Sequence, residues 1–227
     1  MFEGDRFTVC DAEGGDIRLF AAGKGESPLR TFAEVSRKIP SDRIAFGMNA
    51  GMFDEAGRSI GLAIVAGKEK HRINLRNGGG NFHLLPNGIF LVRKDGTAAV
   101  VESSKFATVA NDVAYATQSG PMLVIGGKLH PAFERNGTSR LIRNGVGARK
   151  DGSALFVISG DPVSFGKFAR FFRDRLKTPN ALFFDGSVSS LWDPANGRQD
   201  THSSLGPIVV ALKPAASAPG RATPAKS

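Results

Sequence analysis

The sequence predicts a single α/β domain of the α+β type, built on a mixed, largely antiparallel sheet with at least one βαβ unit and two main helices. Short apolar, β-branched runs recur along the 227 residues, glycine-containing turns separate several of them, and two segments show helical periodicity. A hydrophobic content of 41% with 22% charged residues is ordinary for a globular domain that buries a core.

Seven apolar runs are predicted as strands, at residues 43–48, 60–65, 89–92, 122–125, 154–159, 181–184 and 207–212. Glycine-containing turns at 66–68, 94–97, 126–127 and 150–153 follow or separate these runs. Because Asp-Gly supplies the positive φ angles that tight hairpins need, the middle of the chain is predicted to be largely antiparallel.

Two segments are predicted as helices. The first covers residues 32–38, where Thr31 and Glu34 form a capping box and Pro40 ends the helix. The second covers residues 165–176, with phenylalanines at three- and four-residue spacing facing the core and a solvent face formed by Lys167, Arg170, Arg173 and Arg175. Since it separates the strands at 154–159 and 181–184, we expect a right-handed βαβ unit with parallel strands.

The composition changes abruptly near the end of the sequence. Residues 214–227 are rich in proline, alanine and serine and contain almost no large apolar side chain. Such a segment buries too little surface to offset the entropy of ordering it. We therefore predict one domain over residues 1–213 and a disordered tail over residues 214–227.

The formal charge of +9 indicates attraction to polyanions or to phosphate-bearing ligands. Cys10 is the only cysteine, so no internal disulfide is expected. No run approaches the roughly 20 apolar residues that span a membrane, so no membrane span is predicted. The first residues do not form a signal peptide, which places the chain as written in the cytoplasm, or in the periplasm or outside the cell if an upstream signal peptide was removed.

Two polar turns after predicted strands are candidates for a site. The first supplies one carboxylate and three hydroxyls from Asp185, Gly186, Ser187, Ser189 and Ser190. Such a turn can direct N–H groups, hydroxyls and a charge at a ligand, and it can equally be an ordinary Asp-Gly turn. The second contains Asn49, a polar residue that either contacts a ligand or bonds to the backbone.

Arginine and asparagine concentrate in the predicted loop at residues 135–145, which includes Arg140, Arg143 and Asn144. A guanidinium group matches phosphate oxygens bidentately, so this loop is predicted to hold a phosphodiester, although surface arginines are common. The glycine-rich stretch at 77–83 can approach a ligand closely, and His83 in it is either a proton carrier or a structural histidine.

Several enzyme classes are disfavoured by motifs that the sequence lacks. No cysteine and histidine residues have zinc-site spacing, and there is no Gly-x-Ser-x-Gly elbow. The glycine-rich stretch is not a dinucleotide-binding fingerprint. A zinc hydrolase, a serine esterase and a nucleotide-cofactor enzyme are therefore not expected.

Seven short motifs follow one another along the chain: MNAGMF at 48–53, GNF at 80–82, PNGIF at 86–90, QSGPML at 118–123, NGTS at 136–139, RNGVG at 143–147 and NALFFDGSVSS at 180–190. Together they resemble the phosphodiester glycosidase family, in the bacterial branch related to the catalytic domain of the lysosomal-pathway uncovering enzyme. The resemblance covers roughly residues 5–212. The chain departs from the pattern at Ser187, where eukaryotic relatives usually carry a second glycine.

The resemblance implies cleavage of a sugar-1-phosphate diester or a phosphorylated glycan, as expected of a bacterial cell-envelope hydrolase that leaves the phosphate on its acceptor. Arg143 would neutralise the phosphodiester, Asp185 would act as acid, base or nucleophile, and His83 would be a reserve proton carrier. The residues expected to contact the substrate are Asn49, Gly51, Phe53, Asn81, Ser119, Gly120, Arg140, Asn144, Gly186, Ser187, Ser189 and Ser190. No obligatory cofactor is implied, and the sequence shows no carboxylate cage for a metal.

Two other classes of function stay open. A non-catalytic module that binds a glycan or a phosphate polymer would keep the same fold without hydrolysis. A nucleic-acid-binding protein would use the charge of +9, but Trp192 and Tyr115 are the only tryptophan and tyrosine and no recognition motif is present. No nucleic-acid partner is therefore predicted.

Overall fold

The computed structural model describes residues 1–12, 14 and 16–214, so residues 215–227 of the predicted tail lie outside the described residues. The strands, in chain order, are β1 (Phe7–Asp11), β2 (Ile17–Phe20), β3 (Ile44–Asn49), β4 (Ala63–Val65), β5 (Lys68–His71), β6 (Gly88–Arg93), β7 (Ala98–Glu102), β8 (Val113–Ser119), β9 (Met122–Ile125), β10 (Lys128–Leu129), β11 (Asn144–Ala148), β12 (Ala154–Ser159), β13 (Asn180–Phe183), β14 (Leu191–Asp193), β15 (Arg198–Gln199) and β16 (Ile208–Leu212). The helices are α1 (Phe32–Ser36) and α2 (Phe165–Arg170), and short 3-10 turns lie between the strands.

The strands form three sheets. Sheet one has the order β1-β12-β11-β13-β9-β10, sheet two has β15-β14-β3-β16-β2, and sheet three has β5-β4-β8-β6-β7. Within the described part of the chain, the ladders that join these strands are antiparallel. The α+β class and the largely antiparallel pairing are confirmed, with the strands divided among three sheets.

Each of the seven predicted strands is present, with ends that shift by three residues at most. The four predicted turns join neighbouring antiparallel strands: β4 to β5, β6 to β7, β9 to β10, and β11 to β12. β12 is buried along its whole length, which explains its unbroken apolar run.

Both predicted helices are present. Thr31 and Glu34 form the expected capping box at the start of α1. α2 continues into a π-helical turn over Phe171–Arg175, in which the amide of Leu176 donates to the carbonyl of Phe171 at 3.1 Å. In the described part of the chain, no helix combines the length and the apolar character needed to cross a membrane.

The predicted solvent face of the second helix is wrong at Arg170, and Lys167 is also largely covered, with a side chain that is 13% exposed. Arg170 is 3% exposed because the first residues of the chain cover it. Its guanidinium donates to both carboxylate oxygens of Glu3, at 2.9 and 2.6 Å, and to the carbonyl of Arg135 at 2.7 Å. A buried arginine needs such partners, and the sequence spacing gave no sign that the N-terminal segment supplies them.

The predicted βαβ unit is present as β12, α2 and β13, with one difference. Both strands pair antiparallel with β11, which lies between them, so they run in the same direction without touching. The helical segment covers one face of sheet one through Phe168, Ala169 and Phe172, which are fully buried. The other face packs against sheets two and three in a shared core that includes Met48, Phe90 and Phe156.

Candidate active site

Four of the predicted motifs meet at one place in the fold. They are the segments at residues 49–51, 117–121, 143–144 and 183–185. Backbone N–H groups join them through four hydrogen bonds: Asp185 to the carbonyl of Ala50 at 3.2 Å, Phe184 to the carbonyl of Asn144 at 3.0 Å, Phe183 to the carbonyl of Pro121 at 3.1 Å, and Gly51 to Oγ1 of Thr117 at 3.2 Å. Segments far apart in sequence therefore form one continuous junction between the three sheets.

Asn49 and Asn144 are the buried centre of this junction. Asn144 Nδ2 donates to the carbonyl of Asn49 at 3.0 Å and to its Oδ1 at 2.9 Å. Asn49 Nδ2 donates to the carbonyl of Asp185 at 2.8 Å, and its Oδ1 accepts the amide of Ser190 at 2.9 Å. Ser189 Oγ donates to Asn144 Oδ1 at 3.1 Å or to the carbonyl of Ile142 at the same distance.

These contacts occupy the two amide groups inside the protein. Asn49 and Asn144 are 1% and 0% exposed, so neither presents a free amide to a ligand. The observation favours the alternative in which the asparagine bonds to the backbone. We therefore propose that Asn49, Asn144, Ser189 and Ser190 hold the Asp185 turn in place rather than contact the substrate directly.

Asp185 follows β13 and forms a tight turn with Ser187. Its Oδ1 accepts the amide of Ser187 at 3.1 Å and the hydroxyl of Ser187 at 2.5 Å. The same Asp-Gly-Ser sequence occurs at Asp151, where Oδ1 accepts the amide and hydroxyl of Ser153 at 2.9 and 2.7 Å. The turn geometry alone therefore does not distinguish a site. Only the turn at Asp185 lies at the junction of motifs, whereas the turn at Asp151 closes a hairpin.

Arg143 immediately precedes β11 and lies on its α2 side. Its predicted position outside the strands is correct, but Asn144 and Gly145, predicted in the same loop, belong to β11. Alternation along a strand sends neighbouring side chains to opposite faces. The guanidinium of Arg143 therefore packs over the rings of Phe165 and Phe183, with Cζ 3.6 and 5.5 Å from their centroids, while the side chain of Asn144 enters the core between the sheets.

The charge of Arg143 is buried, and no carboxylate of the described residues pairs with it. The residue is 0% exposed, Nε donates to the carbonyl of Val163 at 2.9 Å, and Nη2 donates to the carbonyl and hydroxyl of Ser139 at 3.0 and 3.2 Å. Nη1 is buried and makes no hydrogen bond to the described residues. Burial lowers the pKa of Arg143 to about 10, so the group is still a cation at neutral pH.

Aromatic rings hold this guanidinium in a fixed plane. His130 stacks on Phe133 at 4.7 Å between centroids, Phe133 stacks on Phe165 at 5.0 Å, and Arg143 continues the column. Stacking on a ring favours arginine over lysine, because guanidinium is planar and weakly hydrated. The column gives the arginine one orientation.

A cavity of about 330 Å³ lies beside this column. It is lined by Asn81, Leu84, Ala132, Phe133, Glu134, Gly137, Thr138, Ser139, Phe165 and Gly166. Ser139 and Phe165 are also the neighbours of the Arg143 guanidinium. Residues of two sequence motifs, GNF and NGTS, therefore line a cavity next to the buried guanidinium of Arg143.

Asp185 lies across the strand pair from Arg143. Gly145 is opposite Phe183 in the ladder of β11 and β13, and continuing that register by two residues places Asp185 opposite Arg143. On its other side, the turn borders a larger cavity of about 670 Å³, whose lining includes Gly186, Ser187, Ser189, Arg198 and His202. Among the described residues, neither Arg143 nor Asp185 lines either cavity. We place the candidate site at the smaller cavity because Ser139 and Phe165, which contact the Arg143 guanidinium, line it.

Ser119, Gly51 and Gly120 form the opposite wall of the junction. Ser119 is 0% exposed and its hydroxyl has no partner among the described residues. A Cβ on Gly51 would lie 2.3 Å from the carbonyl oxygen of Gln118, and a Cβ on Gly120 would lie 2.7 Å from the carbonyl oxygen of Phe82. Both glycines are therefore required for close approach of the backbone.

Three predicted residues have contacts that do not involve the Arg143 guanidinium. His83 bonds through Nδ1 to the carbonyl of Arg76 at 2.8 Å, as the structural alternative requires. Phe53 packs under the guanidinium of Arg30, 5.4 Å from its ring centroid. Arg140 has a half-exposed side chain 3.8 Å from Asp5. Their contacts give no direct support for the roles expected from the sequence.

The structure also adds residues that the sequence did not single out as site residues. Phe165 is one of the regularly spaced phenylalanines of the second helix that were predicted to face the core. Their spacing did not indicate that the Phe165 ring also stacks on the guanidinium of Arg143. Glu134 lines the smaller cavity and is exposed. The sequence signal that could have identified Glu134 was its position next to the arginine- and asparagine-rich loop. Among the described residues, no group of three or more histidine, cysteine, aspartate or glutamate side chains could hold a metal ion.

Comparisons with known proteins agree with the motif pattern. The family model NAGPA, phosphodiester glycosidase, matches residues 42–204. The protein YigE of Escherichia coli strain K12, described as uncharacterized, is 36% identical over 150 residues, which are 66% of this chain and 58% of that protein. The chain therefore spans less than two thirds of the length of this relative.

Two solved structures share the fold. The zebrafish catalytic domain of N-acetylglucosamine-1-phosphodiester alpha-N-acetylglucosaminidase, auto-inhibited by its pro-peptide, has a TM-score of 0.62 and 17% identity, covering 92% of this chain and 83% of that one. A hypothetical protein from Synechocystis has a TM-score of 0.58 and 14% identity, covering 93% of this chain and 60% of that one. With the family model matching most of the sequence, this chain belongs to the phosphodiester glycosidase family.

Proposed function

We propose that this protein hydrolyses a sugar-1-phosphate diester, releasing the sugar and leaving the phosphate on its acceptor. Family membership supports a hydrolase of this general kind. The single observation that carries the specific proposal is the buried, uncompensated cation of Arg143 beside the smaller cavity.

A buried charge without a counter-ion is costly, so its retention calls for a reason. An anionic substrate group supplies the missing negative charge, and Nη1 of Arg143 is the donor still available to it. Because the guanidinium is fully covered, direct contact requires the exposed loop around Ser139 to shift. The field of the cation acts on the cavity even before such contact, since a low-dielectric surround screens it weakly.

Asp185 is the proposed group for the chemical step, as a base, an acid or a nucleophile. A phosphate monoester leaves readily once its charge is stabilised, so protonation matters less than for an ordinary glycoside. One carboxylate together with Arg143 is then sufficient in principle. The network from Asn49 and Asn144 fixes the backbone of the turn that carries this carboxylate.

The test is turnover of a panel of sugar-1-phosphodiesters in water enriched in ¹⁸O. Released sugar is measured by chromatography, and the phosphate product is examined by ³¹P NMR, where ¹⁸O shifts the resonance. We expect sugar release with no ¹⁸O in the phosphate, because the proposal places the broken bond between the anomeric carbon and oxygen.

Two outcomes would contradict the proposal. Incorporation of ¹⁸O into the phosphate would mean that the P–O bond is broken and that the protein is not a glycosidase. Saturable binding of the whole panel without turnover would favour the non-catalytic module that binds a glycan or a phosphate polymer.

A further inference from the structure

A second cleft, distinct from the smaller cavity beside Arg143, lies along the segment that follows β5. Its volume is about 610 Å³, and it is lined by Asp54, Ser59, Ile60, Lys70, His71, Arg72, Ile73, Asn74, Leu75 and Arg76. We refer to it as the basic cleft. The roles proposed for Arg143 and Asp185 do not use any of these side chains.

The basic cleft carries excess positive charge. Lys70 is paired with Glu26 at 2.6 Å, and the carboxylate of Asp54 lies 3.6 Å from Arg58. The exposed side chains of Arg72 and Arg76 make no ion pair with the described residues. Two guanidinium groups are therefore free to meet an anion from solution.

Ser59 supplies an unpartnered polar group at the wall of the cleft. The residue is 5% exposed, and its hydroxyl makes no hydrogen bond to the described residues. Buried hydroxyls are normally bonded, so an orphan at the edge of a cationic cleft indicates a missing partner. The hydrogen of a serine hydroxyl turns about the Cβ–Oγ bond, so the group can donate to a phosphate oxygen.

The apolar lining argues against a nucleic acid as the occupant. The cleft contains Ile60, Ile73 and the 57% exposed Leu75, and its lining by described residues includes no phenylalanine, tyrosine or tryptophan. Proteins that bind single-stranded nucleic acids stack bases on aromatic rings. A cleft that combines positive charge with aliphatic side chains suits a polymer of phosphate groups that carries no nucleobases.

The cleft is connected to the candidate active site through two hydrogen bonds. The amide of Asn74 donates to Oε1 of Gln118 at 2.9 Å, and Gln118 precedes Ser119 of the junction. The carbonyl of Arg76 bonds to Nδ1 of His83, at the end of the turn that begins with Asn81. Asn81 lines the smaller cavity, so these hydrogen bonds join the segment that borders the basic cleft to the segment that borders the smaller cavity.

We propose that the basic cleft is a second anion-binding site, which holds a phosphate group of a chain-like phosphate polymer while another phosphodiester of the same polymer lies at Arg143. Its use as part of the substrate site rests on the proposed hydrolysis, whereas anion binding in the cleft does not. Arg72 and Arg76 supply the charge, and Ser59 supplies a hydrogen bond.

The test measures the affinity of the full chain for inorganic polyphosphate by calorimetry at several salt concentrations. We expect Arg72→Gln with Arg76→Gln to weaken binding about tenfold at low salt and to reduce the slope of log affinity against log salt by about 1 to 2. The matched control, Arg37→Gln with Lys38→Gln, removes the same charge from the exposed end of α1 and should have little effect.

Ser59→Ala separates a ligand contact from a structural role. We expect polyphosphate binding to weaken by about tenfold, with an unchanged melting temperature, because the hydroxyl has no partner to lose among the described residues. Wild-type affinity in both Ser59→Ala and the double arginine variant would overturn the proposal. Stronger binding of oligothymidylate than of polyphosphate, dependent on the two arginines, would also overturn it in favour of a nucleic-acid cleft.

The failure of this inference is distinguishable from failure of the proposed function. If the wild type cleaves no phosphodiester but shows the expected arginine dependence of polyphosphate binding, the cleft stands as a binding site and the hydrolysis fails. If the wild type cleaves a short sugar phosphodiester while the cleft variants bind polyphosphate normally, the hydrolysis stands and the second site fails.

Discussion

Arg143 and Asn144 are neighbours in the chain and have opposite surroundings. The guanidinium lies on the α2 side of sheet one against aromatic rings, and the amide lies in the core between the sheets, bonded to Asn49. Both are fully buried, but the amide has its hydrogen-bond partners, whereas the cation pairs with no carboxylate in the described part of the chain. The hydrogen-bonded amide of Asn144 stabilises the fold, whereas the buried charge of Arg143 is explained best by a ligand.

Asn144→Ala tests the structural half of this contrast. We expect the free energy of unfolding to fall by about 2–3 kcal/mol, because buried groups on Asn49 and Ser189 lose their partner. Urea denaturation provides the measurement. A loss below about 0.5 kcal/mol would show that the network adds little to stability.

At the scale of elements, the sequence predicted those strands and helices whose local residue pattern matches their burial or hydrogen bonding in the fold. Buried strands such as β12 are continuous apolar runs, and the capping box at Thr31 is a local hydrogen-bond pattern. β11 was missed because its sequence, Asn-Gly-Val-Gly-Ala, has low strand propensity. Its glycines are required by tertiary packing, since a Cβ on Gly145 would lie 2.4 Å from the carbonyl oxygen of Leu182.

The candidate site could likewise be predicted only in part from the sequence. The motifs identified the segments that meet, because polar residues and glycine directly after apolar strands are visible in sequence. The direction of each side chain could not be predicted without the sheet register. For that reason Asn49 was expected to contact substrate although its amide bonds within the protein, and Phe165 was assigned only to the core.

Gly51→Ala tests whether the junction is as tightly packed as its contacts indicate. A Cβ there would lie 2.3 Å from the carbonyl oxygen of Gln118, so we expect a loss of about 1–3 kcal/mol in unfolding free energy. Gly79→Ala is the matched control, because a Cβ at that position meets no atom within 4 Å. Equal stability of the two variants in urea denaturation would contradict the close packing.

At the scale of the whole molecule, segments outside the family match complete the sheets. The match covers residues 42–204, while β1 pairs with β12 and β16 pairs with both β2 and β3. The N-terminal residues also cover α2 through the pair of Glu3 and Arg170. That one domain extends over residues 1–213 stays a prediction.

Truncation after Pro214 tests this boundary. We expect the melting temperature to stay within about 1–2 °C of the full chain, because composition predicts that the removed residues pack little surface. Truncation after Gly206 is the contrasting variant, since it removes β16 from between β2 and β3 and should prevent folding. A drop of many degrees in the first variant would place the tail within the folded domain.

The central claim, that Arg143 binds the phosphodiester charge and Asp185 performs the chemical step, is tested most directly by measuring rate and affinity separately. Turnover is measured on a sugar-1-phosphodiester that the wild type cleaves, and affinity is measured with its non-hydrolysable phosphonate analogue. The variants are Arg143→Lys and Asp185→Asn. Arg37→Lys and Asp151→Asn are the matched controls, the second because it changes the same Asp-Gly-Ser turn away from the junction.

Arg143→Lys should lower kcat/KM by roughly 100- to 1000-fold, equivalent to about 3–4 kcal/mol, and should weaken analogue binding, because the planar donor is lost. Asp185→Asn should abolish turnover while analogue affinity stays near that of the wild type or improves, since a charge that repels the phosphate is removed. Both controls should resemble the wild type. If Asp185→Asn keeps most of the wild-type activity, Asp185 is a structural turn residue like Asp151, and the central claim is wrong.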